Sequence, residues 1–447
     1  MHSQQLSHNS LSNTISRAAM LLLAMSFVFA LTVVLAQSAQ AQTFKVLHTF
    51  TGGADGASPL AGVTMDEAGN LYGTTSAGGG SGDGTVFRLS KKGSNWILNP
   101  LYTFTGGNDG GSPWATVVFG PDGNLYGTTT YGGEGGCDYG LGCGTVFQLK
   151  PFPTACKTAV CGWQETVLYR FTGGSDGANP GYGDLIFDQA GNLYGTTAVG
   201  GNQGGLCSNF GGCGVVFELT PSYGGWTEKV LYSFTESSDG FQPYAGLIFD
   251  NAGNLYGTTV SGGFTWGDCD EEAGCGVVFE LTPSNGGWTE NVLYTFYGGN
   301  DGDNPYAGLI FDASGNLYGA TPNDGEGNRG TIFKLTPSGG GWIFSVVYSF
   351  TGGGGPAASL TMDAAGNLYG TTNGGGAYGA GNVFKLTPSG GGWTYTSLHD
   401  FTGGSDGSAP DCNVIFDANG NLYGTTVWGG SSQNCYNGCG VVWEITP

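Results

Sequence analysis

Seven copies of Asn-Leu-Tyr-Gly, at Asn70, Asn124, Asn192, Asn254, Asn316, Asn367 and Asn421, constrain this chain more than any other feature. The fullest copy runs from Asp250 through Gly253, Asn254, Leu255, Tyr256 and Gly257 to Thr259. Successive copies lie 54, 68, 62, 62, 51 and 54 residues apart, a loose repeat with variable insertions. Self-similarity at such a period means one supersecondary unit per copy, stacked on its neighbours to bury a common core.

Each unit carries four apolar runs of four to six residues, rich in Val, Ile, Phe, Tyr and Thr. In the fourth unit, run a is Ala245 to Asp250, run b is Asn254 to Thr259, run c is Gly276 to Leu281 and run d is Val292 to Phe296. This is strand composition, bounded by Gly, Pro, Asn and Asp, with no room for a helix in the runs. Between a and b lies Asp-x-x-Gly-Asn, a tight hairpin in which Gly and Asn are expected to supply positive φ. Between b and c lies a Gly-Gly-rich loop of variable length. Between c and d lies a Gly-Gly-Trp linker whose Trp recurs at Trp96, Trp163, Trp226, Trp288, Trp342 and Trp393. Between d and the next a lies Thr-Gly-Gly-x-Asp-Gly-x-x-Pro, as in Thr172 to Pro180.

Four antiparallel strands in each of seven units predict an all-β fold, a seven-bladed β-propeller, with an open β-solenoid as the rival architecture. The chain opens on a d run (Lys45 to Phe50) and ends on a c run (Gly440 to Ile445). Pairing the first strand with the last blade would therefore complete seven four-stranded sheets and close the ring. The expected blades are residues 60–104, 115–171, 183–234, 245–296, 307–350, 358–401, and 412–445 with 44–50, all within one domain spanning 42–447. Strand alternation alone puts the b–c and d–a loops on one face of the disk, which is the candidate binding surface.

Residues 1–41 read differently. Arg17, the apolar run Ala18 to Ala36 and Ala39-Gln40-Ala41 form a secretory signal peptide with cleavage expected before Gln42. An uncleaved membrane anchor is the alternative, since the run is long enough to span a bilayer. The whole chain has a net charge of −22, and losing Arg17 would make the mature chain −23. Such a surface repels nucleic acid and anionic membrane and attracts cations or basic partners. Ten of the eleven cysteines form close pairs: Cys137 with Cys143, Cys156 with Cys161, Cys207 with Cys213, Cys269 with Cys275 and Cys435 with Cys439. Zinc would need His partners, and His48 and His399, the only His outside the leader, lie near no pair, so local disulfides in an oxidising compartment are expected. Cys412 is left over, standing where other copies have Ala245 and Ala307, and reads as a buried thiol.

The Asn-Leu-Tyr-Gly-Thr-Thr core, the Gly-Gly loop and Gly-x-Val-Phe-x-Leu together resemble the Gloeo/Verruco tandem repeat (GloVer) family of exported bacterial proteins over residues 44–447. The Asp-x-x-Gly-Asn turn is more weakly similar to blades of NHL-type propellers. The resemblance implies export and a propeller-like repeat, and no particular activity. Family members often carry a C-terminal sorting anchor, which the end at Pro447 puts in question.

Two constellations invite a functional reading. The d–a loops place Asp55, Asp109, Asp176, Asp239, Asp301 and Asp406 at one point in six of seven copies. A ring of carboxylates could hold Ca²⁺, whereas the turn reading has each Asp capping its own loop. The Asp of each a–b turn reads as structural, since its place slides at Asp122. The b–c loops differ most between copies, and variable loops on a rigid scaffold concentrate function. They carry Tyr131, Phe210, Trp266, Asp268, Asp270, Glu272 and Trp428. Aromatic rings beside carboxylates and amides suit glycan recognition, with an extracellular protein as the other partner class. The cluster from Asp268 to Glu272 could instead serve a polysaccharide hydrolase or lyase, though paired catalytic carboxylates need a fixed spacing. No Gly-x-Ser-x-Gly elbow, His-Glu-x-x-His pair or phosphate-binding Gly-Lys-Ser/Thr is present. The expectation is thus a secreted or periplasmic monomer that binds glycan or protein without catalysis, with a purely structural surface role as a further alternative.

Overall fold

The computed structural model describes residues 42–133, 135–152, 162–235, 238–263, 269, 273–356 and 358–447. Of the expected disulfides, the one between Cys156 and Cys161 falls outside the described residues. So do the leader segment and the candidate site residues Trp266, Asp268, Asp270 and Glu272. The repeats fold into seven four-stranded antiparallel sheets arranged as a β-propeller.

Blade 4 illustrates the rest. Its strands are Ile248–Phe249, Leu255–Thr259, Val277–Ser284 and Gly287–Thr295, hydrogen-bonded in that order. Run a pairs over only two residues here, because Ala245 to Leu247 turn along the wall of the central channel instead of joining the ladder. The strand of run b, from its Leu onward, is fully buried in every copy. Its Gly has a packing cause: a Cβ on Gly257 would stand 2.6 Å from Cζ of Phe279, the fully buried ring of run c. The same ring-over-glycine contact recurs in all seven blades, with Trp443 over Gly424 in the last. Gly257→Ala is expected to lose about 2 kcal/mol through overpacking, read as a lower urea midpoint at unchanged slope.

The a–b turn is held by its Asp. Asp250 Oδ1 accepts the N–H groups of Ala252 (2.8 Å) and Asn254 (2.9 Å), and Oδ2 accepts the Asn254 amide (2.8 Å) and the Tyr256 hydroxyl (3.2 Å). Burial alone would raise this carboxyl, but the hydrogen bonds outweigh it and hold the group below the usual carboxylate range. Of the turn residues only Gly253 has positive φ, at 88°. Asn254 contributes its side-chain amide rather than a left-handed backbone, contrary to the expectation from turn chemistry.

Neighbouring blades are joined in two layers. Thr258 donates to the Ala307 carbonyl of the next blade at 3.2 Å, and Thr425 of blade 7 donates to Ala61 of blade 1 at 2.7 Å. Farther out, Phe296 packs edge-on against Phe333 of the following blade at 5.2 Å. The seventh sheet runs in the order Thr43–Thr49, Val441–Thr446, Leu422–Thr426, Ile415–Phe416.

Candidate functional site

The loops that enter a blade and the loops that cap it meet on one face. Gly111 bridges to Tyr131, Ala178 to Val199, Phe241 to Ser261 and Ser408 to Trp428, each joining a d–a loop to the b–c loop of the blade it enters. The residue before the loop proline also reaches back, as the N–H of Asn179 bonds to Cys143 O (2.9 Å) and that of Gln242 to Cys213 O (2.8 Å). Both take left-handed backbone, φ 56° and 58°, which a side chain rarely adopts and which the paired loops on either side enforce. That geometry turns two amide side chains toward one place.

The place is a cavity of about 490 Å³ over blades 2, 3 and 4. Tyr131, Gln203 and Phe210 come from b–c loops, Tyr182 and Tyr244 from just before run a, and Asn179 and Gln242 from d–a loops. Its volume falls in the range of small-molecule sites. The disulfides Cys137–Cys143 and Cys207–Cys213 close the two b–c loops that form its walls. Short helical turns at Cys137–Gly140 and Gly205–Phe210 lie in these same loops, outside the strand runs. Two further disulfides, Cys269–Cys275 and Cys435–Cys439, close b–c loops of blades 4 and 7. Four of the five expected pairs are thus joined. The fifth, Cys156 with Cys161, belongs to the c–d linker of blade 2 and lies outside the described residues.

Two of the residues singled out from sequence, Tyr131 and Phe210, are brought together here. Trp428, 45% exposed, belongs to blade 7 and does not line the cavity. Sequence reasoning missed Tyr182 and Tyr244. The signal was available, since the position just before run a differs between copies: Leu60, Trp114, Tyr182, Tyr244, Tyr306 and Asp411.

The six d–a carboxylates are occupied by their own loops. Asp176 accepts the Thr172 N–H (2.8 Å), the Thr172 hydroxyl (2.6 Å) and the Tyr169 hydroxyl (3.1 Å). Asp55, Asp109, Asp239 and Asp406 repeat the pattern with Thr51, Thr105, Thr235 and Thr402. His48 and His399 take the place of the Tyr, at 3.1 and 3.2 Å from Asp55 and Asp406. At Asp301 the Thr is replaced by Tyr297, whose N–H donates at 3.1 Å, beside the Tyr294 hydroxyl at 2.7 Å. Among the described residues no three His, Cys, Asp or Glu side chains converge as a metal-binding set.

The central channel, about 400 Å³, is lined by the first residues of run a in all seven blades. Asp184 on its wall accepts the Thr116 N–H at 2.7 Å, and burial pushes its carboxyl up to about 6. Cys412 is buried, with its thiol raised to about 11 by burial, and donates to Thr425 O.

A family model described as a Gloeobacter/Verrucomicrobia repeat matches residues 26–268 and 265–447. No curated protein matches the chain. Among solved structures, a candidate 6-phosphogluconolactonase from Bacteroides uniformis is 13% identical, over 76% of this chain and 84% of that one, with a TM-score of 0.46. A gluconolactonase from Xanthomonas campestris is 16% identical over 63% and 74% of the two chains, with a TM-score of 0.34. The extracellular domain of a candidate one-component system from B. thetaiotaomicron is 12% identical, over 90% of this chain and 40% of that one, with a TM-score of 0.48. At these values the likenesses carry no functional argument.

Proposed function

The chain belongs to the Gloeobacter/Verrucomicrobia repeat family, and on that footing we propose that its propeller is an exported, non-catalytic module that binds a neutral glycan in the cavity over blades 2 to 4. One observation carries the reading. Every described residue lining that cavity is uncharged, and the functional side chains are three Tyr, one Phe, one Asn and two Gln. Rings offer flat apolar faces to the C–H side of a sugar, and amides both donate to and accept from its hydroxyls. Among the described residues that lining holds no carboxyl, imidazole or amine. Export is supported by four disulfides, which persist outside the reducing cytoplasm. Among the described residues no helix is long and apolar enough to cross a membrane.

Glycan-array screening of the mature chain followed by calorimetric titration tests this. Tyr182→Ala removes a ring and Gln242→Ala removes an amide, each with an expected loss of about 1 kcal/mol, or roughly fivefold in Kd. Absence of binding to every neutral glycan would overturn the reading. So would turnover of a polysaccharide that is abolished by Glu272→Gln.

A further inference from the structure

The aromatic residues do not stop at the rim of the cavity. Trp114, Tyr182, Tyr244 and Tyr306 occupy the same position in four successive blades, and their rings follow one another at 4.8, 4.3 and 5.5 Å between centroids. Tyr182 lines both the rim cavity and the central channel, while Trp114 and Tyr306 line the channel. The two hollows therefore adjoin at Tyr182, along one curved row of rings. The row is one-sided. The same position holds Leu60 in blade 1 and Asp411 in blade 7, so the aromatic path covers blades 2 to 5 and ends.

We propose that this arc is the binding path for an extended glycan chain of several sugar units, lying from the rim cavity across the mouth of the central channel. The inference rests on the glycan reading above and specifies its ligand. The rings meet at interplanar angles of 90°, 86° and 48°, so the row offers ring edges and faces in turn over more than the length of one sugar ring, and a single sugar in the rim cavity would not reach Trp114 or Tyr306. Tyr306, at the far end of the row, is 43% exposed and so open to a ligand. The channel end adds further hydroxyl-binding groups to the amides of the rim. The Ser359 hydroxyl already accepts the Gly308 N–H at 2.9 Å and retains its own proton to donate, and Asp184 also lines the channel. A peptide is a poorer fit, because a stretch of main chain needs a row of backbone donors and acceptors, whereas the path offers rings.

Calorimetric titration of the mature protein with cello- and laminari-oligosaccharides of two to six units decides the matter. Kd is expected to fall at least tenfold between the disaccharide and the hexasaccharide of the bound series. Tyr306→Ala and, separately, Trp114→Ala are expected to weaken the hexasaccharide at least fivefold more than the disaccharide. A Kd independent of chain length, in a series whose short members bind, would overturn the extended path and leave the rim cavity standing. A hexasaccharide preference unmoved by either variant would do the same. If no member of either series binds while an unrelated peptide does, both readings fall.

Discussion

Raising the pH from 5 to 8 will lower the melting temperature of this protein by several degrees, and replacing Glu165, Glu228 and Glu290 by Gln will remove most of that loss. The three residues share one position, two after the linker Trp, in blades 2, 3 and 4. In each, Oε1 is buried without a hydrogen-bond partner. Each lies near the carboxylate of the loop leaving the previous blade: Asp109, Asp176 and Asp239, which are themselves bonded by Tyr102, Tyr169 and Tyr232. Burial first, and then the neighbouring Asp, pushes each Glu carboxyl up to about 7, with Arg170 partly opposing the shift at Glu165.

The folded state therefore holds these three protons more tightly than the unfolded chain, whose Glu titrates near its ordinary value of about 4.3. The associated stability is complete below that value and is lost as the pH rises through about 7. Because the side chains are only half-buried, solvent screening reduces the effect to about 1 kcal/mol per site. Gln keeps the shape and the neutral form at every pH. The same position elsewhere shows that a neutral group is tolerated. Phe344 stacks on Tyr294 at 3.9 Å, Tyr395 on Tyr348 at 5.2 Å and Phe44 on His399 at 3.7 Å. On the acid side the turn residues Asp66, Asp250, Asp312, Asp363 and Asp417 work in the opposite sense. Their carboxyls are held low, so the stability they confer is present above the ordinary Asp value and lost below it. Stability should peak near pH 5. A melting temperature flat from pH 5 to 8 would mean that water reaches the three carboxylates.

Deleting residues 42–50 is expected to produce the largest loss of stability of any change considered, about 5 kcal/mol or more. The strand Thr43–Thr49 lies beside Val441–Thr446, and the Phe50 N–H donates to Gly440 O at 3.0 Å. Phe50 is fully buried and packs against Phe87 of blade 1 at 5.2 Å. Removing a buried Phe ring alone costs about 3–5 kcal/mol. The deletion would also leave Val441–Thr446, buried along most of its length, as an unpaired edge prone to association. Thermal melting and size-exclusion chromatography of the shortened chain check both outcomes. An unchanged melt would show that the ring does not depend on its first strand.

The motif that dominates the sequence proved to be scaffold, for reasons visible only partly in the sequence itself. Its Asp could be read as a turn residue from Asp-x-x-Gly-Asn, and Asp250 does bind the turn. Its Gly could not be explained from the run alone, because the ring that excludes a side chain at Gly257 belongs to Phe279, on the next strand. The candidate site shows the same limit. Variation among the b–c loops pointed to Tyr131 and Phe210, but equal variation pointed to Trp428, which lies away from the cavity. The decisive partners, Tyr182 and Tyr244, stand just before a run that otherwise looked like core.

The sequence by itself determined the number of blades, the order of strands within each and the turn that joins the first two. These are local properties, because in six of the seven blades every ladder partner lies in one repeat, where periodicity and turn chemistry act directly. Only the tertiary structure decided which variable side chains meet. Tyr131, Tyr182 and Tyr244 belong to three repeats, and their meeting depends on the angle between blades and on how far each strand start lies from the channel. Those quantities are set by packing between sheets, as in Phe296 against Phe333, and the repeat of the packing rings along the chain does not state the angle at which they hold the blades.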